Sequence, residues 1–249
     1  MKKINLRKIS SLPPSGISED LARSKSQEWI KKLTVIQQKL YAQRQFSVLV
    51  IIQGMDASGK DGAVKNVFSG LNPAGCRVKS FKKPTEEEEA HDFLWRIHRE
   101  CPEKGMIQIF NRSQYEDILV PSVHQLADKE ELLFRLKAIH HFEELLVKSN
   151  TIVLKFYLHV SEQEQRKRID ERKTDPHKRW KYQKADIIET RHRERYMEVY
   201  NDLLNNPGLV PWHVVPADKN WYKNYLILKT ILDTLSPYPI HYPQGEIED

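Results

Sequence analysis

Cysteine is almost missing from this chain. Its 249 residues hold two, Cys76 and Cys101, far apart and outside any metal-ligand spacing. That excludes a disulfide scaffold and a zinc module, and it fits reduced thiols in a cytoplasmic protein. Long hydrophobic runs are missing as well. The longest fully apolar stretch, Val48 to Ile52, spans five residues, against the roughly 20 a membrane helix needs. The basic opening, Met1 to Ser10, is followed by no apolar stretch, so no signal peptide is expected. There is no internal repeat and no low-complexity segment. Helix-turn-helix, zinc and aromatic-platform signatures are absent too, which leaves nucleic-acid binding without a module.

What remains is an ordinary globular composition, 39% hydrophobic and 30% charged, in a chain of one-domain length. At this size a fold buries roughly 70–75% of its unfolded surface and needs no staples. The formal charge is +6, and its distribution is uneven. Between Arg166 and Lys184 there are nine basic residues and three acids, so this stretch alone accounts for the excess. Such a density points to a polyanionic partner (nucleic acid, an anionic membrane or phosphate chains) or to a solvated helix face.

Residues 1–17 lack periodicity and read as an arm ending in the turn-like Leu12-Pro13-Pro14-Ser15-Gly16. Ser18 caps a helix with Glu19 and Asp20 in its first turn and a buried stripe of Trp29, Leu33, Ile36 and Leu40. Phe46 to Gln53 is a β-branched run without alternation, as expected of a parallel strand covered on both faces. Helix and strand then alternate. Helices are expected over Gly59 to Ser69, Thr85 to Glu100, Asp128 to Ser149, Glu162 to Lys173, about Gln183 to Asn205, and Trp221 to Leu235. Strands are expected over Cys76 to Phe81, Met106 to Phe110, Thr151 to His159 and Val210 to Val215. This order predicts an α/β fold, a parallel five-stranded sheet with helices on both sides. One domain is expected over residues 18–235, with a proline-bearing tail from Ser236 to Asp249.

Directly after the first strand stands Gly54-Met55-Asp56-Ala57-Ser58-Gly59-Lys60-Asp61-Gly62, close to the phosphate-cradling loop G-x-x-x-x-G-K-[ST]. Glycines there let backbone N–H groups converge on phosphate oxygens, the lysine reaches distal phosphates, and the helix N-terminus adds positive potential. Asp61 replaces the usual magnesium-binding hydroxyl, and Asp56 adds a second carboxylate. Carboxylates beside phosphates repel them unless a hard cation lies between, so the loop predicts Mg²⁺. At the end of an inner strand comes Phe110-Asn111-Arg112-Ser113-Gln114-Tyr115-Glu116-Asp117, where parallel sheets bind ligands. Arg112 offers a planar donor fork suited to phosphate; the acids also suit a plain helix N-terminus. The basic excursion Glu171 to Tyr182, at about residues 166–185, sits where P-loop kinases carry a lid. Trp180 and Tyr182 there either stack on a base or pack the lid. Lys79, Lys82 and Lys83 either line the phosphate path or form a solvated strand end.

Together these pieces resemble one family, the family-2 polyphosphate kinases. Its loop pattern, G-x-D-x-x-G-K-x-G, is matched by Gly54, Asp56, Gly59, Lys60 and Gly62. FNRSQYED, ERKTDPHKRWKY and SFKKPTEEEEAHDFLWR also look like the family, and the likeness runs from Phe46 to Trp221. The resemblance implies a three-layer, thymidylate-kinase-like P-loop fold with a helical lid. It also implies Mg²⁺-dependent transfer of phosphate between inorganic polyphosphate and purine nucleotides. On it, Lys60 contacts the transferring phosphate, Asp56 and Asp117 are candidate metal ligands, and Arg112, Arg172, Lys178 and Arg179 are phosphate clamps. Ser58, Asp61, Gly62, Lys79, Lys82, Lys83, Trp180 and Lys181 complete the expected phosphate and nucleotide site. Glu116-Asp117 resembles the class acting on both nucleoside mono- and diphosphates, while Asn111 stands where many members carry aspartate. A homo-oligomer without nucleic-acid or membrane partners is expected. The competing readings are an ATP-dependent nucleoside monophosphate kinase of the thymidylate kinase type and a non-enzymatic nucleic-acid-binding protein.

Overall fold

The computed structural model describes residues 3–181 and 189–245. The chain runs α1 (Glu19–Gln43), β1 (Ser47–Gly54), α2 (Lys60–Phe68), β2 (Cys76–Ser80), α3 (Glu86–Glu89), α4 (Trp95–His98), β3 (Ile107–Asn111), α5 (Glu116–Val123) and α6 (Lys129–Lys148). It continues through β4 (Thr151–His159), α7 (Glu162–Thr174), α8 (Arg193–Asn205), β5 (Trp212–Pro216) and α9 (Asn220–Leu235). The five strands form one sheet in the order β2-β3-β1-β4-β5, and every neighbouring pair is parallel.

The sheet is covered on both faces, which the unbroken apolar run of β1 and the apolar residues on both faces of β4 require. Side chains alternate across β1: Leu49 and Ile51 enter one core, Val48, Val50 and Ile52 the other. The first core packs against α5, α6 and α8 through Leu119, Phe142 and Leu203, and the second against α1, α2 and α9 through Leu33, Val67 and Ile231. Ser18 caps α1 through Leu21 N, and Gln37 joins Leu33 and Leu40 in its buried stripe. Residues before α1 lie on the domain: Leu6 is buried, its N–H donates to Asn201, and Ser11 O accepts from Asp218 N.

The stretch expected as one helix from Thr85 to Glu100 is two separate turns, α3 and α4. Thr85 does cap the first, in a capping box with Glu88. Asp92 then stops it by offering Oδ1 to Leu94 N at 2.9 Å, a local turn that competes with continued helix. Another departure from simple periodicity is α5, which contains Pro121. Proline cannot donate to the carbonyl four residues back, at Asp117. Arg135 of α6 takes that place, donating to Asp117 O at 2.9 Å. The expected helix start near Gln183 lies outside the described residues.

Behind the site, Lys155 of β4 and Glu143 of α6 form an ion pair at 2.7 Å with both side chains fully buried. Tyr115 OH donates to Glu143 at 2.8 Å, and Lys155 also donates to Tyr115 OH and Pro207 O, each at 2.8 Å. This network ties the sheet to the residue that precedes α5.

Candidate active site

The carboxyl ends of β1 and β3 open into a cleft of about 1340 Å³, more than a single small ligand of a few hundred Å³ requires. Its floor is the turn between β1 and α2. Two glycines make that turn possible. A Cβ at Gly54 would stand 2.7 Å from Ser58 Oγ and 2.9 Å from Leu158 O. At Gly59, where φ is +94°, it would stand 2.5 Å from Lys223 Nζ. Gly62 has no such constraint; its nearest neighbour would be 3.9 Å away.

Lys60, at the N-terminus of α2, is folded back on the loop. Its Nζ donates to Gly54 O at 2.7 Å and Met55 O at 3.1 Å. Burial, helped by the charge of Arg112, pushes its ammonium down to about 8. Arg112 leaves β3 with φ of +64°, a strained value for a side-chain-bearing residue. Its Nη2 donates to Asp56 Oδ1 at 2.6 Å, and its Nη1 lies 3.7 Å from Glu116 Oε2. Burial works against ionising Asp56, but Lys60, Arg112 and Arg172 outweigh it and hold the carboxyl below its ordinary value. For Glu116 burial wins, and its carboxyl is pushed up. Asn111 donates to Asp61 Oδ1 at 2.9 Å, so this asparagine orients a loop carboxylate.

Most of the expected residues converge here. Gly54, Asp56, Gly59, Lys60, Asp61, Gly62, Lys82, Lys83, Arg112, Glu116, Arg172, Lys178 and Trp180 all line the cleft. Others do not. Asp117, expected as a metal ligand, is turned away and pairs with Arg96 at 3.1 Å. Consecutive helical positions differ by about 100°, and with Glu116 on the cleft this turn carries Asp117 round to Arg96 and Arg135. Lys79 lies on the edge strand β2 and pairs with Glu100 at 2.6 Å. Ser58 is buried behind Gly54, and Arg179 is absent from the lining. The side chain of Lys181 lies outside the described residues. The lid is also less bare than its composition implies: Lys178 is 2.8 Å from Glu171, and Lys173 is 2.9 Å from Asp170.

Four residues around the loop have no signal in its motif. Gln165 donates to Asp56 O at 2.9 Å and is itself held by Arg193, which also reaches Val160 O. Arg168 donates to Ala57 O, Ser58 O, Ala217 O and Asp218 O. Lys223, 1% exposed, donates to Gly59 O at 3.0 Å. Only the four-residue spacing of Glu164, Arg168 and Arg172 on the expected helix separates Arg168 from the solvated Arg166 and Lys167.

Among the described residues no three Asp, Glu, His or Cys side chains form a cluster able to enclose a metal. Asp56 and Asp61 both line the cleft, the first held by Arg112 and the second by Asn111 through one oxygen each, and their carboxylates are the candidate donors there. That suits a hard cation which keeps phosphate and water as its other ligands. No helix of the described residues is long and apolar enough to cross a membrane.

A family model described as Polyphosphate kinase 2 matches residues 16–241. An AMP/ADP-polyphosphate phosphotransferase of Meiothermus ruber is 45% identical over 218 residues, covering 87% of this chain and 82% of that protein. An ADP-polyphosphate phosphotransferase of Rhodopseudomonas palustris is 38% identical, covering 86% of this chain and 79% of its own length. The crystal structure of Polyphosphate Kinase 2 from Arthrobacter aurescens TC1 superposes with a TM-score of 0.95 at 34% identity, over 100% of this chain and 91% of that one. The loop with Asp56 and Lys60, the strand end with Arg112 and these similarities lead to one conclusion: the chain belongs to the polyphosphate kinase 2 family.

Proposed function

We propose that the chain transfers phosphate between inorganic polyphosphate and the nucleotides AMP and ADP, with Mg²⁺. One observation carries the reading. A single cleft joins the phosphate loop to cations on three other segments: Arg112 after β3, Lys82 and Lys83 after β2, and Arg172 and Lys178 on and after α7. A triphosphate occupies a loop and one or two cations, whereas a phosphate chain profits from cations spread along a path. That spread favours polyphosphate over ATP as donor, and it separates this reading from a nucleoside monophosphate kinase.

The residues divide the work by position. The N–H groups of Gly59 and Lys60, where α2 opens, receive phosphate oxygens. Lys60 exchanges the carbonyls of Gly54 and Met55 for the migrating phosphoryl group, and Arg112 offers its fork to the same charge. Such positioning and charge stabilisation supply nearly all of phosphoryl-transfer catalysis. Asp56 and Asp61 would hold Mg²⁺, which when bound shields the repulsion between acceptor and donor phosphates. Glu116, half-buried on the cleft beside Arg112, would place a cation or water against a shorter acceptor, which supports use of both mono- and diphosphates. Phe134 and Leu145, exposed and eleven residues apart on α6, share one side of that helix and support assembly of several copies.

The test is to mix the protein with Mg²⁺, polyphosphate and AMP and to resolve AMP, ADP and ATP over time. ADP should appear first and ATP second, and excess chelator should abolish both. Transfer from ATP but not from polyphosphate would replace this reading with the nucleotide-kinase one.

A further inference from the structure

The carbonyl side of the phosphate loop is gripped by two cations. Arg168 Nη1 donates to Ala57 O at 3.2 Å and Ser58 O at 3.0 Å, while Lys223 Nζ donates to the next carbonyl, Gly59 O, at 3.0 Å. Both cations are fixed from the other side of the loop. Arg168 Nη2 donates to Ala217 O at 2.7 Å and Asp218 O at 3.1 Å, and its Nε donates to Glu164 at 2.9 Å. Lys223 donates to Asn220 Oδ1 at 2.8 Å. In a trans peptide the carbonyl and the following N–H point in opposite directions. Gly59 O also accepts from Ala63 N at 3.0 Å, and holding Ser58 O and Gly59 O aims the N–H groups of Gly59 and Lys60 away from the cations. These amides open α2, where N–H groups have no partner within the helix.

We infer that Lys223 is a positioning residue for phosphoryl transfer, locking the Gly59 carbonyl so that the loop amides stand ready for polyphosphate. The arrangement is costly when no anion is present. Burial and the charge of Arg168 on α7 push the Lys223 ammonium down to about 7, and Asp61 on α2 opposes them only in part. A purely structural position of this kind would be filled more cheaply by an uncharged side chain. A cation here gains its use when a polyanion arrives. The inference rests on polyphosphate being the donor.

The experiment uses the full chain and two variants, Lys223→Met and Asn220→Ala. Binding of inorganic tripolyphosphate is measured by calorimetry at 0.1 and 0.5 M salt, alongside thermal melting and Michaelis constants for both substrates. Lys223→Met should melt at or above the wild-type temperature, because a buried charge is gone. It should bind tripolyphosphate at least tenfold more weakly, with its acceptor constant changed less than twofold. Asn220→Ala keeps the charge and loses only its aim, so it should weaken tripolyphosphate binding about threefold or more. Both relative losses should persist at 0.5 M salt, where the screening length is only about 3–8 Å. Wild-type binding in both variants would overturn the inference, as would a loss confined to low salt. If Lys223→Met does not fold, unchanged binding by Asn220→Ala overturns it alone. A wild-type protein that binds no tripolyphosphate would instead remove the donor assignment itself.

Discussion

Arg112 Nη2 lies 2.6 Å from Asp56 Oδ1, joining the end of β3 to the phosphate loop across 56 residues of sequence. The contact occupies one carboxylate oxygen and keeps the group ionised in a buried place, which is the state a magnesium ligand needs. Replacing Asp56 by Asn removes the charge while keeping the hydrogen-bonding shape. Turnover should fall about 10²-fold, and the magnesium concentration for half-maximal rate should rise at least fivefold. A magnesium titration of both proteins checks this.

Lys60→Ala should cost about 10²-fold or more in turnover, since it removes the group that follows the migrating charge. Melting should move by no more than about 2 °C. The two carbonyls released by the change face the cleft, where water replaces the lysine.

Polyphosphate binding should take up protons. With the ammonium pushed down to about 8, roughly half of Lys60 is neutral at pH 8 in the free protein. A polyanion favours the charged form, so its arrival raises the value and draws in up to about half a proton. Lys223, pushed down to about 7, adds to the uptake near neutrality, and only below about pH 6, where both lysines are already charged, should the uptake vanish. Calorimetry in buffers of different ionisation enthalpy reads this directly. The same depression has a stability consequence. The folded values of Lys60 and Lys223, about 8 and about 7, lie below the ordinary 10.5. The penalty for burying them charged is full below pH 7 and is relieved as pH rises toward 10.5. The ligand-free protein should therefore resist urea better at pH 9 than at pH 7.

Glu116→Asn should separate the two acceptors. A carboxylate at the cleft wall can place a cation or water against a shorter acceptor, and the amide does so less well. AMP and ADP use should diverge about tenfold, or about 1.4 kcal/mol of differential transition-state binding. Polyphosphate constants should stay within twofold. Equal loss with both acceptors would leave Glu116 a general residue of the site.

The buried pair behind the sheet should govern stability and not specificity. Lys155→Met strands Glu143 without its cation and should cost about 3–5 kcal/mol in urea unfolding. Adding Glu143→Gln should recover much of that loss, with Michaelis constants unchanged within twofold in both proteins.

The contrast between Asp56 and Asp117 explains what was legible in the sequence. Asp56 sits in a loop whose glycines, lysine and flanking strand are contiguous, so local chemistry identifies it. Asp117 depended on the rotational phase of α5, which a helix start known only to within a residue or two does not define. Of the two readings open for Lys79, its pairing with Glu100 fits the strand-end one, and that partner, 21 residues away, has no local signal. Lys223 and Arg168 were silent because their partners, Gly59 and Ser58, lie 164 and 110 residues away. The sheet itself was legible because β1 carries its two-sided burial openly as an unbroken apolar run and β4 does so apart from Lys155. The split between α3 and α4 was not, because a single aspartate turn at Asp92 overrode otherwise helical composition.

The four carbonyls around Arg168 also pin α7 at its middle. One guanidinium bolts the middle of α7 to the phosphate loop and to the turn before α9. Only six residues, about 9 Å of helix, separate it from the end of α7 at Thr174. The lever is short. Arg172, one turn beyond the bolt, and Lys178 and Trp180, past the helix end, all line the cleft. The cations that face a phosphate chain from this side therefore hang from a helix whose middle is pinned, and Arg172, nearest the pin, has the shortest reach to shift.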